Sequence, residues 1–100
     1  MKSFNLKVMT PSNNFYDGTV DEVVISTVVG KEGFLADHSW TCMLIDAGEI
    51  WIREKGASAD DWKIASAAGG FADVKGDMII YTDAVEWNKG TAKRRSRLGK

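Results

Sequence analysis

Residues 20–29 read Val20-Asp21-Glu22-Val23-Val24-Ile25-Ser26-Thr27-Val28-Val29. Seven of these ten are β-branched. Such side chains are stiff at χ1 and fit a pleated, half-buried surface better than a helix. Successive residues of a strand point to opposite faces. The run Val23-Val24-Ile25 is apolar on both, so this strand is expected to be covered on both sides.

The same period of two extends in each direction. Phe4, Leu6 and Val8 alternate with Asn5, Lys7 and Met9, and Thr10-Pro11-Ser12-Asn13-Asn14 breaks the run with turn formers. Phe15-Tyr16 resumes it, and Asp17-Gly18 predicts a tight turn or bulge. Gly30-Lys31-Glu32-Gly33 is the next predicted turn. Residues 40–45 and 49–54 read as a strand pair about Asp46-Ala47-Gly48. In the second, Ile50 and Ile52 share one face and Trp51 and Arg53 the other. Residues 55–61 are polar and predict a loop. Residues 62–67, 70–75 and 78–82 complete the series, punctuated by Gly69-Gly70 and Gly76-Asp77. No window before residue 84 carries a helical stripe. Many short strands with frequent turns predict an all-β antiparallel sandwich or barrel.

Composition narrows the function. One hundred residues with 44% apolar and 27% charged side chains suit a single globular domain. A single Cys excludes an internal disulfide and a thiolate cage built from this chain alone. The uncharged apolar run at residues 23–30 is too short to span a bilayer, no uncharged run is much longer, and residues 1–5 open without an apolar signal core, so an intracellular setting is expected. The formal charge of −1 conceals two parts: residues 1–87 carry all 14 acids against seven bases, a net of −7, whereas residues 88–100 carry six bases and no acid. An acidic domain at 1–87 followed by a basic tail at 88–100 is therefore expected, the tail disordered or a short frayed helix.

Several stretches hold reactive residue types without the pattern their chemistry needs. Asp37-His38-Ser39 has the members of a hydrolase triad, but neighbours on an extended chain point to alternate sides and cannot make both required hydrogen bonds. His38 and Cys42 cannot close a tetrahedral metal site alone. Asp60-Asp61 reads as a solvated turn. The Gly-x-x-Gly of residues 30–33 lacks the flanking helices of a nucleic-acid-binding loop and the Gly-Lys-Ser/Thr ending of a phosphate loop. Trp40, Trp51, Trp62 and Trp87 are either core or interface. Strand alternation singles out Trp51, opposite the Ile50/Ile52 face, as an interface candidate. The residues thus predict a binding or structural subunit with no catalytic set, no metal and no cofactor.

An ordered set of motifs adds a resemblance: Thr10-Pro11, Phe15-Tyr16-Asp17-Gly18-x-Val20, Gly30…Gly33-Phe34-Leu35, Asp37-His38, Gly48, residues 68–74 (Ala-Gly-Gly-Phe-Ala-Asp-Val) and residues 82–86 (Thr-Asp-Ala-Val-Glu). Over residues 4–87 the chain resembles the N-terminal domain of the epsilon subunit of F-type ATP synthases, called delta in mitochondria. Ala36-Asp37 and Ser39-Trp40 stand where Pro-Gly and Ala-Pro are common in that family.

The resemblance implies a flattened antiparallel sandwich of two five-stranded sheets. It also implies a non-catalytic rotor subunit of the central stalk that joins the gamma subunit to the c-ring and supports coupling of proton flow to ATP synthesis. The site would be the cytoplasmic side of a bacterial cell membrane, or a mitochondrial or plastid inner membrane. Thr10, His38 and Met43 match positions that face gamma in relatives, and Trp51 joins them on strand alternation. Val28, Val29, Gly30, Lys31, Glu32 and Gly33 match the turn that meets the c-ring. The chain is expected to be monomeric when isolated, to insert in no membrane and to bind no nucleic acid. Longer relatives continue into a helical hairpin, for which residues 88–100 are too few. The competing expectation is a stand-alone β-sandwich binding module whose basic tail contacts nucleic acid or anionic lipid.

Overall fold

A computed structural model describes residues 2–88. The expected basic tail therefore lies outside the described residues, apart from Asn88. Nine strands follow one another: β1 (Phe4–Met9), β2 (Asn14–Thr27), β3 (Gly30–Leu35), β4 (Thr41–Ile45), β5 (Gly48–Glu54), β6 (Lys63–Ala67), β7 (Gly70–Lys75), β8 (Asp77–Thr82) and β9 (Val85–Trp87). There is no helix among the described residues.

The strands join in one hydrogen-bonded path, β4-β7-β8-β1-β2-β5-β6-β9, with β3 paired to β2 off that path. The long strand β2 belongs to both layers. Its first half pairs with β1, its second half with β3, and its middle with β5. Counting β2 twice gives five strands per layer, so nine strands fill the place of the expected ten. The pairing is also not wholly antiparallel, because β1 and β8 run parallel, Leu6 beside Met78 and Met9 beside Tyr81. These partners lie far apart in sequence, and nothing local encodes their relative direction.

The main core lies between the layers. Leu6, Val8, Val74, Met78 and Ile80 come from one side, and Ile25, Phe34, Ile50 and Ile52 from the other. All are buried, as the alternating apolar positions require. Val24 points the opposite way from Val23 and Ile25, into a second cluster with Trp51, Trp62 and Ile64. The expected cover on both faces of residues 23–25 is therefore present.

Asp17-Gly18 makes no turn: β2 runs through it without interruption. Gly18 makes room for a neighbouring ring, since a Cβ there would sit 2.7 Å from the Tyr16 hydroxyl. That hydroxyl donates to Glu54 Oε2 at 2.7 Å. Burial of the ring, then the bond to Glu54 and the carboxylate charges of Glu54 and Asp17, push the Tyr16 pKa far up, so it stays protonated. The irregularities of register occur instead between Val8 and Met9 and between Val20 and Glu22. The second lets β2 leave one layer for the other, as extra residues in one strand bend it.

One end of the domain is fastened by charge. Asp21 accepts from the Ser3 hydroxyl at 2.7 Å and from the Gly56 N–H at 3.3 Å, and lies 3.7 Å from Arg53 Nη1. Arg53 also reaches Glu22 at 3.2 Å. The Ser3 hydrogen bond, with the Gly56 N–H and the Arg53 charge, holds the Asp21 pKa below its ordinary value, against the opposing effect of burial. A depressed carboxylate pKa stabilises the fold above the unfolded-state value of about 4 and is lost as pH falls through the folded-state value. Urea midpoints should therefore drop more steeply between about pH 5 and pH 2.5 in the wild type than in Asp21→Asn. Parallel profiles for the two proteins would remove Asp21 from the acid response.

Candidate interaction surfaces

The β2–β3 hairpin projects its tip into solvent. Thr27 pairs with Gly30, leaving Val28-Val29 as a two-residue connection. The turn chemistry comes from the flanks: the Thr27 hydroxyl donates to the Gly30 carbonyl at 2.7 Å and accepts from the Val29 N–H at 3.3 Å. Gly30 adopts φ 117°, a region other residues rarely enter. The predicted turn at residues 30–33 thus lies two residues earlier, and Lys31, Glu32 and Gly33 are in β3. Val28 and Val29 are 78% and 83% exposed, which leaves two apolar side chains at the most protruding point of the hairpin. Behind them, Lys31 Nζ lies 5.7 Å from the Trp51 ring and ties the hairpin to the second core.

The residues expected to face a gamma partner do not converge. Thr10 closes the β1–β2 turn on itself: its hydroxyl oxygen accepts from the Asn13 N–H at 3.1 Å, and its N–H donates to the Asn13 carbonyl at 2.9 Å. It follows Met9, which lies beside Tyr81. His38 sits at the opposite end of that layer. Its ring packs on Phe34 with centroids 4.5 Å apart, and it precedes Thr41, which pairs with Val74 and, through it, neighbours Met78. Met43 turns inward, packed against the main core.

Trp51 overturns its expected exposure. Its indole N–H donates to Glu49 Oε1 at 2.8 Å, and its ring meets Trp62 edge-on at 5.8 Å. It is 5% exposed. The cause is register: Val24 pairs with Trp51 and Trp51 with Ile64, so three apolar side chains form a row across β2, β5 and β6. Trp62 closes over this row and Arg53 stacks on Trp62 at 5.6 Å. The face opposite Ile50 and Ile52 is a second core.

A surface that the sequence reading did not single out lies on the outer side of the β4-β7-β8 layer. Leu44 pairs with Phe71 and Phe71 with Tyr81, so these exposed side chains form a row across three strands. The Phe71 and Tyr81 rings stack at 4.8 Å. Beyond Tyr81 the row opens into a concave site of about 480 Å³, lined by Met9, Pro11, Gly69 and Asp83 among others. Alternation around the inward Met43 carries the signal for Leu44. Among the described residues no group of three or more His, Cys, Asp or Glu side chains could hold a metal ion.

Residues 3–88 match the family described as the beta-sandwich domain of the ATP synthase delta/epsilon chain. The chain is 39% identical over 88 residues to the ATP synthase epsilon chain of Caldanaerobacter subterraneus, an alignment covering 86% of this chain and 61% of that one. It is 33% identical to the epsilon chain of Caldicellulosiruptor bescii, covering the whole of this chain and 71% of the relative. Against the first of these the chain thus spans about three fifths of the relative's length. The fold is shared with a chain of the Euglena gracilis mitochondrial ATP synthase, with a TM-score of 0.77 and 23% identity over 85% of this chain and 53% of that chain. It is also shared with a chain of the Tetrahymena thermophila mitochondrial ATP synthase central stalk and c-ring, with a TM-score of 0.66 and 15% identity over 98% of this chain and 84% of that chain.

Proposed function

The chain belongs to the ATP synthase delta/epsilon chain family, and from that premise we propose that it is a non-catalytic rotor subunit that joins the gamma subunit to the c-ring. The complex would sit on the cytoplasmic side of a bacterial membrane, in keeping with the bacterial epsilon chains it resembles. The reading rests on one observation: the stretch of family similarity includes a hairpin that ends in two exposed valines, with Lys31 and Glu32 just behind them. An apolar tip rimmed by both charge signs suits docking between polar loops. The valines supply buried area, and the charges set register more than affinity.

A rotor part must also carry torque without shearing. Two cores on either side of β2 and β5 suit this, because close-packed interiors have low compressibility. No residue is assigned a chemical step. The c-ring contact is assigned to Val28, Val29, Gly30, Lys31, Glu32 and Gly33. The gamma contact is assigned to Thr10 and His38, while Met43 and Trp51 support those surfaces from within.

The test is co-purification of the tagged full chain with the gamma subunit and c-ring from host membranes. Retention of both through a high-salt wash is expected. Loss of both at moderate salt, with nucleic acid or anionic lipid retained at low salt, would contradict the proposal and favour the binding-module reading.

A further inference from the structure

Register sets three polar residues in a row across the outer face of β9, β6 and β5. Glu86 pairs with Ser66, and Ser66 with Glu49. The two carboxylates flank Ser66 and stand about 10 Å apart, two strand spacings. Neither makes an ion pair among the described residues. The three bases on the strands of this layer are engaged elsewhere: Lys31 on the Trp51 ring, Arg53 on Asp21 and Glu22, and Lys63 on Glu54. Beside Glu86 and Ser66 lies a hollow of about 360 Å³, lined by these two with Ala67, Ala68, Ala84 and Val85. Its floor is therefore small and apolar, with a carboxylate at the rim. The described chain ends next to it. Asn88 donates its backbone N–H to the Ile64 carbonyl at 2.9 Å and its side-chain amide to Glu49 Oε2 at 3.1 Å, and accepts from the Ser66 hydroxyl.

We propose that this hollow is the seat of the chain's own basic segment Lys93-Arg94-Arg95, which docks there with its charged heads between Glu86 and Glu49. Long basic side chains bury their methylene stems on apolar surface and keep the head in water, which suits an alanine floor with a carboxylate rim. Charge complementarity favours this occupant: residues 88–100 carry six bases and no acid, against −7 over residues 1–87. So does reach. Five residues lead from Asn88 to Lys93 and span at most about 17 Å. Ala84, at the far side of the hollow, precedes Asn88 by four residues, about 13 Å along a strand. Gly90 permits the reversal this path needs. Docking would also withdraw these bases from any polyanion, which Glu86 and Glu49 themselves repel.

The experiment is paramagnetic broadening of amide NMR signals in the full chain. Cys42→Ser removes the chain's one cysteine, and Ser96→Cys carries a nitroxide. At low salt the amides of Ser66, Ala68, Ala84 and Glu86 should lose most of their intensity, while those of Phe71 and Tyr81 on the other layer keep theirs. The loss should vanish at about 1 M salt, where the screening length falls to about 3 Å. It should vanish also when Lys93→Gln, Arg94→Gln and Arg95→Gln are combined, and weaken in Glu86→Gln, a change at an exposed side chain. Broadening spread evenly over both layers would overturn the inference. So would a loss at the hollow that neither salt nor the glutamine variants relieve. Broadening of an unlabelled chain mixed with the labelled one, at equal strength, would assign the hollow to a second copy and overturn docking within the chain.

Discussion

Trp51→Ala is expected to cost about 3–5 kcal/mol of folding stability, the usual range for truncating a buried large aromatic. The indole fills the centre of the second core, edge-on to Trp62 and in register with Val24 and Ile64. Its removal leaves a cavity under Trp62 and takes away the ring on which Lys31 rests. Small domains have total stabilities of about 5–15 kcal/mol, so the variant should be partly unfolded at modest temperature. Trp40→Ala is the matched control. Trp40 is 76% exposed, and truncation there should shift stability by no more than about 0.5 kcal/mol. Urea unfolding followed by circular dichroism separates the two. An unchanged midpoint in Trp51→Ala would refute the placement of Trp51 in a core.

Val28→Asp with Val29→Asp should have the opposite profile, a normal fold and a failed assembly. Both valines are almost fully exposed at the hairpin tip, so the double variant should keep its unfolding midpoint within about 1 kcal/mol. Burying each valine against the c-ring would be worth about 1.5 kcal/mol or more, and two aspartates would carry unpaired charge into the same contact. Together these predict c-ring association at least about a hundredfold weaker. ATP-driven proton pumping by complexes reconstituted with the variant should fall accordingly, while ATP hydrolysis continues uncoupled. Pumping equal to wild type would show that the tip makes no contact that matters.

Period-two alternation was enough to identify an all-β fold, and the double-faced apolar run at residues 23–25 announced cover on both sides. What alternation could not supply was the identity of that cover. Within its own strand Trp51 opposes Ile50 and Ile52, and alternation alone equates that face with solvent. Only the pairing Val24–Trp51–Ile64 reveals that the side chains covering Val24 come from two other strands. Trp62, just before β6, and Ile64 within it share one parity, and that spacing is the available sign.

The turns misled for a local reason. Asp17-Gly18 has a turn composition, yet Gly18 is small to admit the Tyr16 ring that Glu54 holds in place. At the hairpin the glycines drew attention to residues 30–33. The actual connection is Val28-Val29, made possible by the Thr27 hydroxyl and the backbone of Gly30. Of the residues expected to meet gamma, Thr10 and His38 lie at opposite ends of one layer and Met43 faces inward. Strand direction alone decides this, and a linear motif does not contain it.

The measurement closest to the central claim is site-directed crosslinking from the hairpin tip in the assembled complex. Cys42, the chain's one cysteine, is replaced by serine, and Val29→Cys then carries a photoactivatable crosslinker. A rotor subunit docked through this hairpin should crosslink in high yield to the c subunit and to no stationary subunit. Crosslinks confined to stationary subunits, or absence of the chain from the purified complex, would contradict the account.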